Sequence, residues 1–252
     1  MNRLSAAPSF PQSQAQAVAR VQRPALKRSG GDLPYSLLAP LHYEANYAYP
    51  LVVWLHGPEG SERELGRVMP HISLRNYAAA AARGTAEAFR GFDWEQTPPA
   101  IAAAEQRVAD AVERARERFN VHRERIFLCG VESGGTMALR LALRNPKRYA
   151  GAVSLNGPFP EGHRPLVHLE AARKSRLLIA HCRDSESYSL DTLCDELSLF
   201  HAAGMSVTLR QYPCADELTT QMLSDADVWI MEQITGSILA EDHNTPLPSE
   251  WN

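Results

Sequence analysis

Leu51-Val52-Val53-Trp54-Leu55 is apolar at every position and is bounded by Pro50 and Gly57. A short run of this kind between two turn residues reads as a strand buried on both faces, as strands of parallel sheets are. The signal returns along the chain. Residues 125–130, 152–155, 176–181 and 206–212 read as further strands, and a short early one at 35–38 is broken by Pro40.

Helical patterns separate these runs. Thr97-Pro98-Pro99 opens a long helix, with Thr97 as cap and Pro98 in the first turn. Ile101, Ala104, Val108, Val112, Ala115 and Phe119 then recur at three- and four-residue steps, giving one buried face, with Asp110 and Arg114 paired on the wet side. Residues 136–144, 189–203 and 219–234 also read as helices. Ser61-Glu62-Arg63-Glu64 has the form of a capping box, and residues 77–82 suit either a strand or a helix. Strands alternating with helices imply an α/β fold, with a mostly parallel central sheet covered by helices on both faces. Ligands collect at the carboxyl ends of such strands. The loops after Leu55, Cys129, Leu155, His181 and Tyr212 are therefore the places to search.

Composition narrows the class further. The chain has 252 residues, 44% hydrophobic and 22% charged, with a net charge of −3. That is ordinary for one large α/β domain, and the slight acidity gives no general attraction to nucleic acid. No apolar run approaches the ~18–20 residues a membrane span needs. The opening stretch MNRLSAAPSFPQSQAQAVAR has no continuous hydrophobic core and makes a poor secretory signal. The expected organisation is a flexible extension over residues 1–30, one domain over 31–236 and a loose tail over 237–252. Cys129, Cys182, Cys194 and Cys214 form no C-x-x-C pair, so they are expected to stay reduced in a cytoplasmic setting, and no cofactor or metal is implied.

Residues 127–136, FLCGVESGGT, carry a strand into a glycine-rich turn and then a helix. Other strands end in His56-Gly57, in His181-Cys182-Arg183-Asp184 and in Tyr212-Pro213-Cys214-Ala215-Asp216-Glu217-Leu218. In this order the four motifs resemble an α/β-hydrolase of the phospholipase/carboxylesterase and polyester-depolymerase-like esterase group, over about residues 33–236. The resemblance implies hydrolysis of carboxylic esters by serine, aspartate and histidine, with the serine on a strained strand–helix elbow flanked two residues away on each side by glycine.

Three positions depart from that pattern. Gly130 and Gly134 flank Glu132, whereas Ser133 would be flanked by Val131, which is β-branched and stiff. Glu132 therefore takes the nucleophile position and Ser133 the next. Asp216 stands where the histidine is expected, and Asp184 lies one residue before the place of the acid. One oxyanion donor is expected near position 58, but Pro58 has no N–H, a loss of roughly 2.7–4 kcal/mol in a transition state. Glu59 or Gly60 is the substitute if the loop takes another path.

Three readings follow. The first is a degenerate hydrolase without serine-esterase activity, serving as a binding or structural protein, with a small-molecule ester or a protein as partner. The second is an esterase-type enzyme with a non-standard nucleophile, Ser133 or Glu132. The third is a carboxylate pair, Glu132 with Asp216, for acid/base chemistry or a cation. Glu132 is also expected to cap the helix after it, Arg183 to neutralise the local carboxylates, and His56 and His181 to play structural parts.

Overall fold

The computed structural model describes residues 35–236. The extension and tail expected from the sequence lie outside the described residues. In chain order the strands are β1 (Tyr35–Leu38), β2 (Tyr49–Leu55), β3 (Ala78–Ala82), β4 (Ala86–Glu87), β5 (Phe92–Asp93), β6 (Val121–Val131), β7 (Gly151–Leu155), β8 (Arg176–Cys182) and β9 (Val207–Tyr212). The helices are α1 (Leu65–Ile72), α2 (Pro98–Arg118), α3 (Ser133–Arg144), α4 (Leu169–Ala172), α5 (Leu190–Ala202) and α6 (Thr220–Thr235). A seven-stranded sheet runs in the order β1-β3-β2-β6-β7-β8-β9, and β4 and β5 form a separate hairpin. Only the β1–β3 pairing of the large sheet is antiparallel.

Side-chain alternation divides the interior in two. Leu51, Val53 and Leu55 of β2 join Ile101, Val108 and Val112 of α2 and Met137 and Leu141 of α3 in one apolar cluster. Val52 and Trp54 point the other way, toward Leu65 and Met69 of α1 and Met222, Trp229 and Ile230 of α6. The period of two along a strand is what lets one run serve both layers. Residues 77–82, ambiguous in the sequence, are settled by tertiary context. Five alanines of low strand preference form β3, wholly buried between β1 and β2.

Several expected caps are made differently. Ser61 accepts from the Arg63 amide at the head of a 3-10 turn over Glu62–Glu64, and the Glu64 carboxylate is taken by the Trp54 indole N–H at 3.1 Å. The Thr97 hydroxyl makes no cap hydrogen bond to α2. Helix α3 begins at Ser133, three residues before the sequence suggests, because the chain turns sharply at Glu132.

The register aligns the carboxyl ends. Leu55 pairs with Gly130, Val131 with Leu155, Leu155 with Ala180, and Cys182 with Tyr212. The loops after β2, β6, β7, β8 and β9 therefore emerge side by side at one edge of the sheet. Among the described residues no helix is long and apolar enough to cross a membrane.

Candidate functional site

The turn from β6 into α3 is held by close backbone packing. Glu132 has φ 49° and ψ −118°, a left-handed φ that L-residues rarely adopt. A Cβ on Gly130 would lie 2.4 Å from the Gly134 carbonyl group, and one on Gly134 would lie 2.3 Å from the carbonyl oxygens of Leu55 and His56. Neither position has room for any other residue. Gly157 faces the same turn, where a Cβ would lie 2.3 Å from the Glu132 carbonyl oxygen. The Glu132 amide donates to the Leu155 carbonyl at 2.8 Å, which ties the turn to β7.

The Glu132 side chain makes no cap hydrogen bond to α3, contrary to expectation, because a residue with this backbone projects its side chain away from the helix amides. Its carboxyl pKa is raised. Burial is the main cause, followed by the negative charges of Asp216, Asp93 and Glu64. Ser133 is the first residue of α3, and its hydroxyl donates to the Asp93 carboxylate at 2.5 Å. Asp93 arrives on the β4–β5 hairpin, which two-residue strands make invisible to periodicity.

Asp216 is bound into a polar network. Its carboxylate accepts from the hydroxyls of Ser185 at 2.5 Å and Ser187 at 2.7 Å, from the Asn156 amide at 3.1 Å and from the Glu186 backbone N–H at 3.3 Å. The two serine hydroxyls, chiefly, hold its pKa down at about 2. Asn156 follows β7 with φ 53° and also accepts from the Cys182 amide, which locks the strand ends together. Asn156, Ser185 and Ser187 are candidate-site residues the sequence reading missed. The available signal was the one-residue misfit of Asp184, since Ser185 occupies the next place.

Asp184 is not part of this network. Its side chain is 60% exposed and lies 3.3 Å from Arg183, its chain neighbour, while its amide donates to the Cys214 carbonyl. That backbone bond turns the loop so that Ser185, not Asp184, faces Asp216. Arg183 is equally exposed and does not neutralise the inner carboxylates.

Both strand-end histidines are engaged by main chain. His56 donates from Nδ1 to the Gly57 carbonyl at 2.7 Å and accepts at Nε2 from the Gly84 N–H at 2.9 Å, and burial lowers its pKa. This is a neutral imidazole acting as a brace for the loop that carries Pro58. His181 donates from Nε2 to the Tyr188 carbonyl at 2.9 Å and packs edge-on against that ring. The loop after β2 is also anchored beneath by Glu62, fully buried and bonded through both oxygens to Arg83 at 2.7 and 2.9 Å. Burial alone would raise the Glu62 pKa, but the Arg83 hydrogen bonds and charge bring it below the usual range. Among the described residues no group of three His, Cys, Asp or Glu side chains is arranged to hold a metal ion.

A mostly parallel sheet with a strained, glycine-flanked turn at the carboxyl end of a central strand defines an α/β-hydrolase. Residues 91–234, more than half of the chain, match the phospholipase/carboxylesterase family, and the chain belongs to that family. It is 26% identical over 116 residues to the Arabidopsis thaliana carboxylesterase SOBER1, covering 45% of this chain and 51% of that protein. It is 32% identical over 120 residues to the putative esterase NocK of Nocardia uniformis subsp. tsuyamanensis, covering 44% of this chain and 33% of that protein. The matched part thus spans about half and a third of the lengths of these relatives. The fold is shared with the Mesorhizobium loti carboxylesterase, with TM-score 0.64 and 22% identity over 80% of this chain and 96% of the other. It is shared too with the Bacillus cereus carboxylesterase, with TM-score 0.63 and 16% identity over 81% and 96%.

Proposed function

We propose that this member of the phospholipase/carboxylesterase family does not hydrolyse esters through a serine, and that the loops at the carboxyl ends of its strands form a carboxylate-lined binding site. In this reading Glu132 stands where the family's nucleophile projects, and Asp216 stands where its histidine does. The observation that carries it is the backbone at Glu132, with φ 49° between two glycines that admit no Cβ. Ser133, one residue on, lies inside α3 with its hydroxyl committed to Asp93. The imidazoles of His56 and His181 hydrogen-bond to main chain, and Pro58 has no N–H to give an oxyanion. The relatives described as a carboxylesterase and a putative esterase support a small ester, or a molecule shaped like one, as the ligand. The cysteines at positions 129, 182, 194 and 214 are unpaired, which fits a reducing, cytoplasmic setting.

The test is hydrolysis of p-nitrophenyl butyrate by the protein and by Ser133→Ala. Neither is expected to exceed the background rate. Turnover that disappears in Ser133→Ala overturns the reading and makes Ser133 the nucleophile.

A second reading, acid/base catalysis by the carboxylate pair, is favoured by the opposite displacement of the two pKa values. Glu132 is raised, while Asp216 is held at about 2. Environments that separate two carboxyls in this way assign an acid and a base. This reading expects cleavage of an acetal probe, p-nitrophenyl glucoside, that is lost in Glu132→Gln.

A further inference from the structure

A cavity of about 290 Å³ lies among residues that take no part in the carboxylate site. It is lined by Pro98, Ile101 and Ala102 at the start of α2, by Arg144 at the end of α3, and by His163 and Arg164 in the segment before α4. One wall is apolar. The other carries two guanidinium groups and an imidazole, on a chain whose net charge is −3.

The cations here are poorly compensated. The nearest carboxylate oxygen to Arg144 Nε belongs to Glu105, at 3.9 Å, and Glu105 already accepts from the Asn145 side chain at 2.9 Å. Arg144 Nε is shielded from solvent and makes no hydrogen bond among the described residues. A buried donor left without an acceptor costs free energy, and the Arg144 side chain as a whole is 35% exposed, within reach of an anion in the cavity. Behind the same wall lies Arg140, fully buried. Its guanidinium donates to the Gln96 side-chain oxygen at 2.5 Å and to the carbonyls of Glu161 at 2.5 Å and Gly162 at 3.1 Å, none of them a carboxylate. Those bonds also anchor a segment in which Gly162, His163 and Arg164 all have positive φ, at 63°, 53° and 51°. The first turn of α2 contains no acidic residue, so the positive end of its dipole adds to the field. Pro98 and Pro99 have no N–H, which removes two of the backbone donors at this helix start and leaves the guanidinium groups as the main donors to an anion.

We propose that this cavity binds a small organic anion, its phosphate or carboxylate headgroup held by Arg144 and Arg164 and its short apolar substituent lying against Pro98, Ile101 and Ala102. A cleft lined by one sign of charge and backed by apolar walls concentrates such a ligand. The volume suits a headgroup with a few carbons rather than a diacyl lipid. The inference does not depend on the carboxylate site, because it uses none of its residues.

The test is calorimetric titration of the full chain with hexyl phosphate at fixed ionic strength, beside Arg164→Gln, Arg144→Gln and Lys147→Gln. Arg164 and Lys147 are exposed, so these two variants keep the fold; Arg144→Gln is checked by circular dichroism. Saturable binding is expected, weakened roughly tenfold or more by each arginine substitution and unchanged in Lys147→Gln. Hexanol is expected not to bind, and inorganic phosphate to bind more weakly than hexyl phosphate. No saturable binding of hexyl phosphate, or an equal loss in Lys147→Gln, overturns the proposal. Binding confined to anionic vesicles would also overturn it, in favour of a membrane-surface contact.

Discussion

At Glu132 two costs meet in one residue. A non-glycine residue at positive φ carries strain of about 1–3 kcal/mol. Its carboxyl is also pushed toward the neutral form by burial and by Asp216, Asp93 and Glu64. The second cost can be isolated by pH. A carboxyl whose folded pKa is raised binds more protons in the folded state, so its penalty is absent below the ordinary glutamate range, grows as pH rises, and is complete above the raised value. Glu132→Gln removes that penalty without changing shape. Its melting temperature is expected to exceed that of the parent by roughly 2–4 °C at pH 7 and to match it at pH 4, as read by calorimetry. An equal gain at both pH values would exclude the electrostatic origin. Asp216 obeys the opposite sign. Held at about 2 by the Ser185 and Ser187 hydroxyls, it contributes stability that is present above the ordinary aspartate range and is lost as pH falls toward 2.

The β6–turn–α3 element converts two absent side chains into a fixed geometry. Gly134→Ala would drive a Cβ against the carbonyl oxygens of Leu55 and His56 at 2.3 Å, backbone atoms at the end of the central strand β2 that cannot step aside. It is expected to cost roughly 3 kcal/mol or more in urea unfolding. Gly66, in α1, has an ordinary helical backbone and nothing within 4 Å of the point a Cβ would occupy, so Gly66→Ala is expected to stabilise by about 0.4–1 kcal/mol. Equal effects of the two substitutions would refute the steric account. This element was legible in the sequence because glycine spacing and an apolar run are local signals. The long apolar strands were legible for the same reason. Asp93, Asn156, Ser185 and Ser187 were not. Each is a single polar residue in a loop or a two-residue strand, and Asn156 meets Asp216 across 60 positions of sequence. Asp184 shows the same limit: its backbone bond to Cys214 turns its side chain away from Asp216, and no local pattern announces that turn.

Across the whole molecule the hydrolase scaffold is intact, and in the reading proposed above the groups at its active edge are exchanged. The sheet register, the His56 brace and the buried Glu62–Arg83 pair keep the loops in place whether or not chemistry occurs. Reversing the exchange therefore tests the functional reading at this scale. Ser185 and Asp216 already meet at 2.5 Å, the contact an aspartate and a histidine would need, and the Glu132 backbone already has the strained turn of an elbow. The combined substitutions Glu132→Ser, Ser185→Asp and Asp216→His are expected to create p-nitrophenyl butyrate hydrolysis above the rate of the parent protein. The rate should remain limited by Pro58, because one absent oxyanion donor costs about 10²–10³ in kcat. Adding Pro58→Gly restores an N–H there and is expected to raise kcat by up to about 10² while changing KM little. A folded triple variant with no activity, with or without the change at position 58, would mean that the scaffold no longer presents these positions as a triad. A parent protein already active would place the catalytic groups elsewhere on the same edge.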